Sequence, residues 1–95
     1  SGAAPAAPGG APAATPAAAA APGEEGRAYE AAQNQRRIGN YQGAIAAFQG
    51  FLAQHPKSTL APRAQYWIGD SYFNLRDFKN AIASQQALVK NYPES

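Results

Sequence analysis

Few side chains in this chain are able to do covalent chemistry. His55 is the only imidazole, and without Cys no thiolate nucleophile, disulfide or thiolate metal site can be built. Asp70 and Asp77 invite a reading as an acid–base pair, but Asp77 directly precedes a helical run and is needed there as a cap. His55 sits before Pro56 at the end of another run and reads as a local terminus residue. No Ser/His/Asp set, metal-ligand spacing or phosphate-cradling glycine loop appears. The chain therefore reads as a non-enzyme with no catalytic residue, no metal and no cofactor.

Recognition chemistry remains. Tyr29, Gln33 and Arg36 recur at three- and four-residue spacing, with Arg37 beside them, and so share one face of a helix. Arg63, Tyr66, Asp70, Phe73 and Asn74 do the same further on. Aromatic rings mixed with long polar donors suit a protein partner, and these residues are the candidate partner-binding groove. The competing reading is that Tyr66 and Phe73 merely cover a neighbouring hairpin. Arg36-Arg37 could draw an acidic partner or simply solvate a helix end. Trp67 reads as core between hairpins in preference to a binding residue.

Four amphipathic helices are expected to position that face. The first runs from about Glu25 to Ile38, with Glu24 and Glu25 at its positive end, Arg36 and Arg37 at its negative end, and Gly39 as left-handed stop. Asn40 caps the second, Tyr41 to Gln54, whose stripe is Ala44, Phe48, Phe51 and Leu52, and Pro56 closes it. Ser58 is expected to cap the third, which runs to about Leu75 with Pro62 in its first turn and Leu60, Ala64, Trp67, Ile68 and Tyr72 buried. Asp77 caps the fourth, Phe78 to Asn91, with Ala81, Leu88 and Val89 facing inward and Ile82 on a flank. Short links make neighbours antiparallel, so the fold class is all-α: two stacked antiparallel helix hairpins behind a disordered N-terminal tail.

That tail is a linker over residues 1–24, nearly all Ala, Pro and Gly up to Gly23. It has too little apolar surface to offset the entropy of ordering. Residues 25–95 form the folded domain, a first repeat at about 26–58 and a second at about 59–95. A formal charge of +2 is too weak to argue for nucleic acid, although helical-hairpin repeats in general also read RNA. No apolar run approaches a membrane span, so no direct membrane insertion is expected. Neither Met nor a signal peptide is present, and the chain is expected to be a piece of a longer protein.

The two hairpins are copies. Gly39-Asn40-Tyr41, Ala44-Ile45 and His55-Pro56 recur as Arg76-Asp77-Phe78, Ala81-Ile82 and Tyr92-Pro93, each thirty-seven residues later. Ala44 and Ala81 are placed where helices cross, with Gly69 and Ala32 opposite, because small side chains let backbones approach to about 8–9 Å. Tyr41 and Phe78 are expected to plug the hairpin ends. This set resembles the tetratricopeptide repeat. Trp67, Gly69, Tyr72, Asp77, Phe78, Ala81 and Pro93 carry the likeness in the second copy, and Ala32, Gly39, Tyr41, Ala44, Phe48 and Pro56 in the first. Gln35, Arg76 and Gln85 depart from the pattern, and Arg76 should strain a left-handed position. The family repeats every 34 residues. The surplus of three is assigned to Thr59-Leu60-Ala61, lengthening the third helix.

The strings Tyr41–Phe48 and Ala61–Tyr72 further resemble the C-terminal domain of the Tol-Pal accessory family, the YbgF or CpoB type. That resemblance implies a periplasmic interaction module that binds TolA. It would help couple outer-membrane constriction to septal peptidoglycan synthesis during cell division, through the peptidoglycan synthase machinery. It also implies a parent with a signal peptide and an oligomerising coiled coil. A generic periplasmic or outer-membrane assembly scaffold is the alternative. Such a family adds a further repeat, so the last helix should fray or associate.

Overall fold

A computed structural model describes residues 22–95, and the expected linker lies outside the described residues up to residue 21. The fold is all-helical: α1 (Pro22–Arg37), α2 (Tyr41–Gln54), α3 (Ala61–Asn74) and α4 (Phe78–Asn91). Each packs on the next, α1 on α2, α2 on α3, α3 on α4, in the stacked order of a solenoid.

The copies match down to their caps. Gly39, at φ 87°, ends α1 in a Schellman motif: its N–H donates to the Arg36 carbonyl at 3.0 Å and the Asn40 N–H to the Gln35 carbonyl at 2.9 Å. Arg76, at φ 63°, ends α3 identically, with Arg76 N–H on the Phe73 carbonyl and Asp77 N–H on the Tyr72 carbonyl, both at 2.9 Å. Arg76 thus holds the left-handed conformation its position demands. Asn40 and Asp77 then cap α2 and α4 by accepting from the N–H groups of Gly43 and Asn80. At the far ends, the Tyr92 hydroxyl donates to the Pro56 carbonyl at 3.3 Å, tying the two hairpin ends together.

Several boundaries differ from expectation. α1 begins three residues early because Pro22 suits a first turn that needs no N–H. Gly23 and Glu24 are therefore helix and not linker. The third helix is not lengthened: α3 has 14 residues, as do α2 and α4. A helix starting at Thr59 would take its first bond from the N–H of residue 62, and Pro62 has none. Ser58 is accordingly no N-cap. Its hydroxyl accepts from Leu60 N–H at 3.0 Å and its carbonyl from Ala61 N–H at 3.0 Å, so Thr59 and Leu60 form a turn and Ala61 opens α3.

The core is Ala32, Ala44, Ile45, Phe48, Phe51, Ala64 and Ile68, with Tyr29, Leu52, Leu60, Trp67 and Tyr72 packed on its edge. Gly69 is a close approach: a Cβ there would lie 3.3 Å from Ser84 Cβ and 3.6 Å from the Ala81 carbonyl. On α4, Ala81 and Ser84 are the buried residues. Val89 is not inward but 70% exposed, and Phe78 does not plug its hairpin but lies 45% exposed. Phe73 meets the Phe78 ring at 5.3 Å, while Ile82 and Val89 stay largely exposed.

Candidate functional site

The face shared by α1 and α3 is built on one aromatic post. Tyr29 sets its ring edge-on to Phe48 (5.6 Å) and Phe51 (6.0 Å), which anchors it in the core. Its hydroxyl oxygen accepts the indole N–H of Trp67 at 3.0 Å, a bond between the two hairpins. Trp67 is therefore interface material, as its position suggested, and it supplies a directed bond as well as area. Gln33 lies beneath, only 7% exposed, its amide nitrogen 3.3 Å from the same Tyr29 oxygen and its carbonyl oxygen unpaired. Gln33 forms the floor of the groove and is not an available donor.

Arg36 crosses the hairpin boundary. Its guanidinium stacks 3.8 Å from the centroid of the Trp67 ring, and Nε stands 3.4 Å from Asp70 Oδ2 without hydrogen-bond alignment. A stacked arginine of this kind contributes on the order of 1 kcal/mol. Asn74 completes the group by donating from Nδ2 to the Asp70 carbonyl at 2.8 Å and to Oδ2 at 3.3 Å. Arg37 points elsewhere. It pairs with Asn34 and Glu30 on the outer side of α1 and takes no part in the groove.

Two hollows open along this face, sharing Tyr66. The first, about 510 Å³, is bordered by Tyr29, Gln33, Pro62, Arg63, Trp67 and Leu88. The second, about 460 Å³, lies between α3 and α4 beside Asp70, Phe73, Phe78 and Ile82. Tyr66 is 49% exposed and Phe73 60%, so neither serves merely to cover a neighbour. Tyr66 stands edge-on to Trp67 (4.9 Å) and Phe73 to Phe78 (5.3 Å), which restrains both rings without burying them. Pro62, Leu88 and Ile82 were not among the expected lining residues. Their exposure depends on how α4 crosses α3, which spacing along one helix does not reveal.

His55 proves more than a terminus residue. Its ring is buried against Phe51 at 5.2 Å, and Nδ1 lies 3.8 Å from Glu25 Oε2, closing the far end of the first hairpin. No group of three or more His, Cys, Asp or Glu residues suited to a metal occurs among the described residues. None of the described helices is long and apolar enough to cross a membrane.

Residues 29–95 match the family model described as Tetratricopeptide repeat. The chain is a tetratricopeptide-repeat protein. No curated protein and no solved structure gives a match. Tetratricopeptide repeats suggest a protein-interaction module with protein partners, and helix-pair solenoids in general bind along an extended concave surface.

Proposed function

We propose that the groove of Tyr29, Gln33, Arg36, Arg63, Tyr66, Asp70, Phe73 and Asn74 holds a segment of a partner protein. One observation carries the reading: Tyr66 and Phe73 stand about half exposed yet restrained, two turns apart on one face of α3, over two adjoining hollows. Rigid aromatic rings offer large contact area at little entropic cost, which is why interfaces favour them. Arg36 and Asp70 oppose each other as an ion pair at 3.4 Å, so neither charge at the polar rim stands alone.

The partner is TolA, and the module acts in the periplasm within the Tol-Pal system, coordinating outer-membrane constriction with septal peptidoglycan synthesis. The likeness of Tyr41–Phe48 and Ala61–Tyr72 to the Tol-Pal accessory family supports this assignment. Titration of isotopically labelled protein with TolA and with an unrelated periplasmic protein tests it. Amide shifts at Tyr29, Tyr66 and Phe73 with TolA alone are expected, and Tyr66→Ala should weaken binding roughly tenfold or more. Equal shifts with both proteins would remove TolA as the partner. Shifts confined to other surfaces would remove the groove.

A further inference from the structure

A third hollow, about 280 Å³, is lined by residues of α2, α3 and α4, none of which borders the two hollows of the groove. Buried Ile68 forms its base, with half-buried Leu52 and Ala87 beside it. Gln65 of α3 and Ser84 of α4, each 8% exposed, bring polar atoms to that apolar base. Gln49 of α2 and Asn80 of α4 stand exposed at its mouth.

The polar atoms of this hollow are only partly used. Gln65 donates from Nε2 to the Ser84 carbonyl at 3.0 Å, a buried bond from α3 to α4. A carbonyl can only accept, so the nitrogen end of the amide must face it and the oxygen end is fixed. That oxygen has no donor among the described residues, and the Ser84 hydroxyl has no partner. Neither atom is sealed from solvent: the sealed unpaired atoms among the described residues are Gln33 Oε1, Arg36 Nε and Ser71 Oγ. Asn80 donates from Nδ2 to Asp77 Oδ2 at 2.8 Å, which leaves its own oxygen as a further acceptor. No Asp, Glu, Lys or Arg lines the hollow, and α2 contains none along its whole length. An ion entering there would lose hydration with no opposite charge to replace it. The occupant that fits is therefore neutral and brings donors.

We infer that this hollow is a sugar site, separate from the proposed groove, and that it takes one neutral pyranose unit of a glycan. Its volume approaches the lower end of small-molecule pockets, about 300 Å³, and exceeds what a single amide side chain fills. Polar groups from three helices around an apolar base match a ring with hydroxyls at its edge and C–H bonds on its face. The C–H face lies on Leu52, Ile68 and Ala87. Ring hydroxyls donate to the Gln65 and Asn80 oxygens and accept from the Gln49 amide and the Ser84 hydroxyl. Gln65 determines specificity, because the Ser84 carbonyl holds its amide as an acceptor toward any ligand.

The isotopically labelled 95-residue chain is titrated with glucose, galactose and mannose, and with glucosamine and glucuronate as cationic and anionic versions of the same ring. At least one neutral hexose should shift the amides of Gln49, Gln65, Ser84 and Ala87 with millimolar saturation, while Tyr29, Tyr66 and Phe73 stay in place. The two charged sugars should shift the same amides several-fold less at equal concentration. Gln65→Met keeps the length of the side chain and removes its acceptor. It should weaken binding roughly three- to tenfold, the effect of one neutral hydrogen bond. Ser84→Ala removes only a hydroxyl and should weaken binding similarly with the melting temperature held near the parent's, so the test stands even where Gln65→Met folds poorly. No shift with any neutral hexose, equal shifts with the charged sugars, or shifts confined to the groove would overturn the inference. So would acetamide producing the same shifts at the same concentration, which would make an Asn or Gln side chain of a partner protein the occupant.

Discussion

Arg76 holds a backbone conformation that costs an L-residue about 1–2 kcal/mol relative to the right-handed one. Glycine escapes that cost but is more flexible in the unfolded chain, which takes back about 0.5–1 kcal/mol. Arg76→Gly should therefore be more stable than Arg76→Ala by about 0.5–1 kcal/mol, because both lose the same side chain and differ only in backbone freedom. The lost side chain matters little: the guanidinium is 5.8 Å from the Phe78 centroid at an exposed position, worth about 0.5 kcal/mol. Residues 22–95 unfold with an entropy of about 0.15 kcal/mol per kelvin, so the two variants should differ in melting temperature by about 3–6 °C. Thermal unfolding followed by far-ultraviolet circular dichroism measures the difference. Gly39→Ala, at the matching position of the first copy, should fall by a similar amount from the parent. If glycine and alanine at residue 76 melt together, the left-handed ending of α3 is wrong, and with it the cap-for-cap equivalence of the two hairpins.

Gly69→Val should lower stability by about 1–3 kcal/mol in urea unfolding, because a branched side chain must displace Ser84 or the Ala81 carbonyl. Trp67→Phe should cost about 1 kcal/mol by removing the indole N–H that reaches Tyr29 across the hairpin boundary; no loss would mean that the bond adds nothing to area burial there.

Two repeats were legible in the sequence because their punctuation is chemical. Asn40 and Asp77 offer an acceptor where orphan N–H groups begin, and Pro56 and Pro93 follow the last turns of α2 and α4. The all-helical hairpin fold follows from those marks, and the family match agrees with it. The start of α3 was misplaced because Ser58 has the side chain of a cap, while the deciding fact is a hydrogen atom that Pro62 lacks. Val89 was misplaced for a different reason. A stripe records that a face is apolar and does not record which neighbour covers it, so a face made for the next helix reads like core. In the groove, helical spacing brought Tyr29, Arg36, Arg63, Tyr66, Asp70, Phe73 and Asn74 to one side, but it could not separate Arg36 from Arg37. One residue of rotation sends Arg36 onto Trp67 and Arg37 out to Glu30.

That division of labour shapes what the proposed groove can select. Arg36 is held by a ring on one side and a carboxylate on the other, so its charge is spent inside the protein. Asp70 is likewise engaged, by Arg36 and Asn74. Among the described residues, Arg63 is the one groove cation with no ion-pair partner, and it borders the larger hollow beside Tyr66 and Trp67. A partner entering there meets one unpaired positive charge at the rim and aromatic walls within. Selection then rests mainly on an apolar side chain that fits between Tyr66 and Trp67, with an acidic neighbour steering its approach.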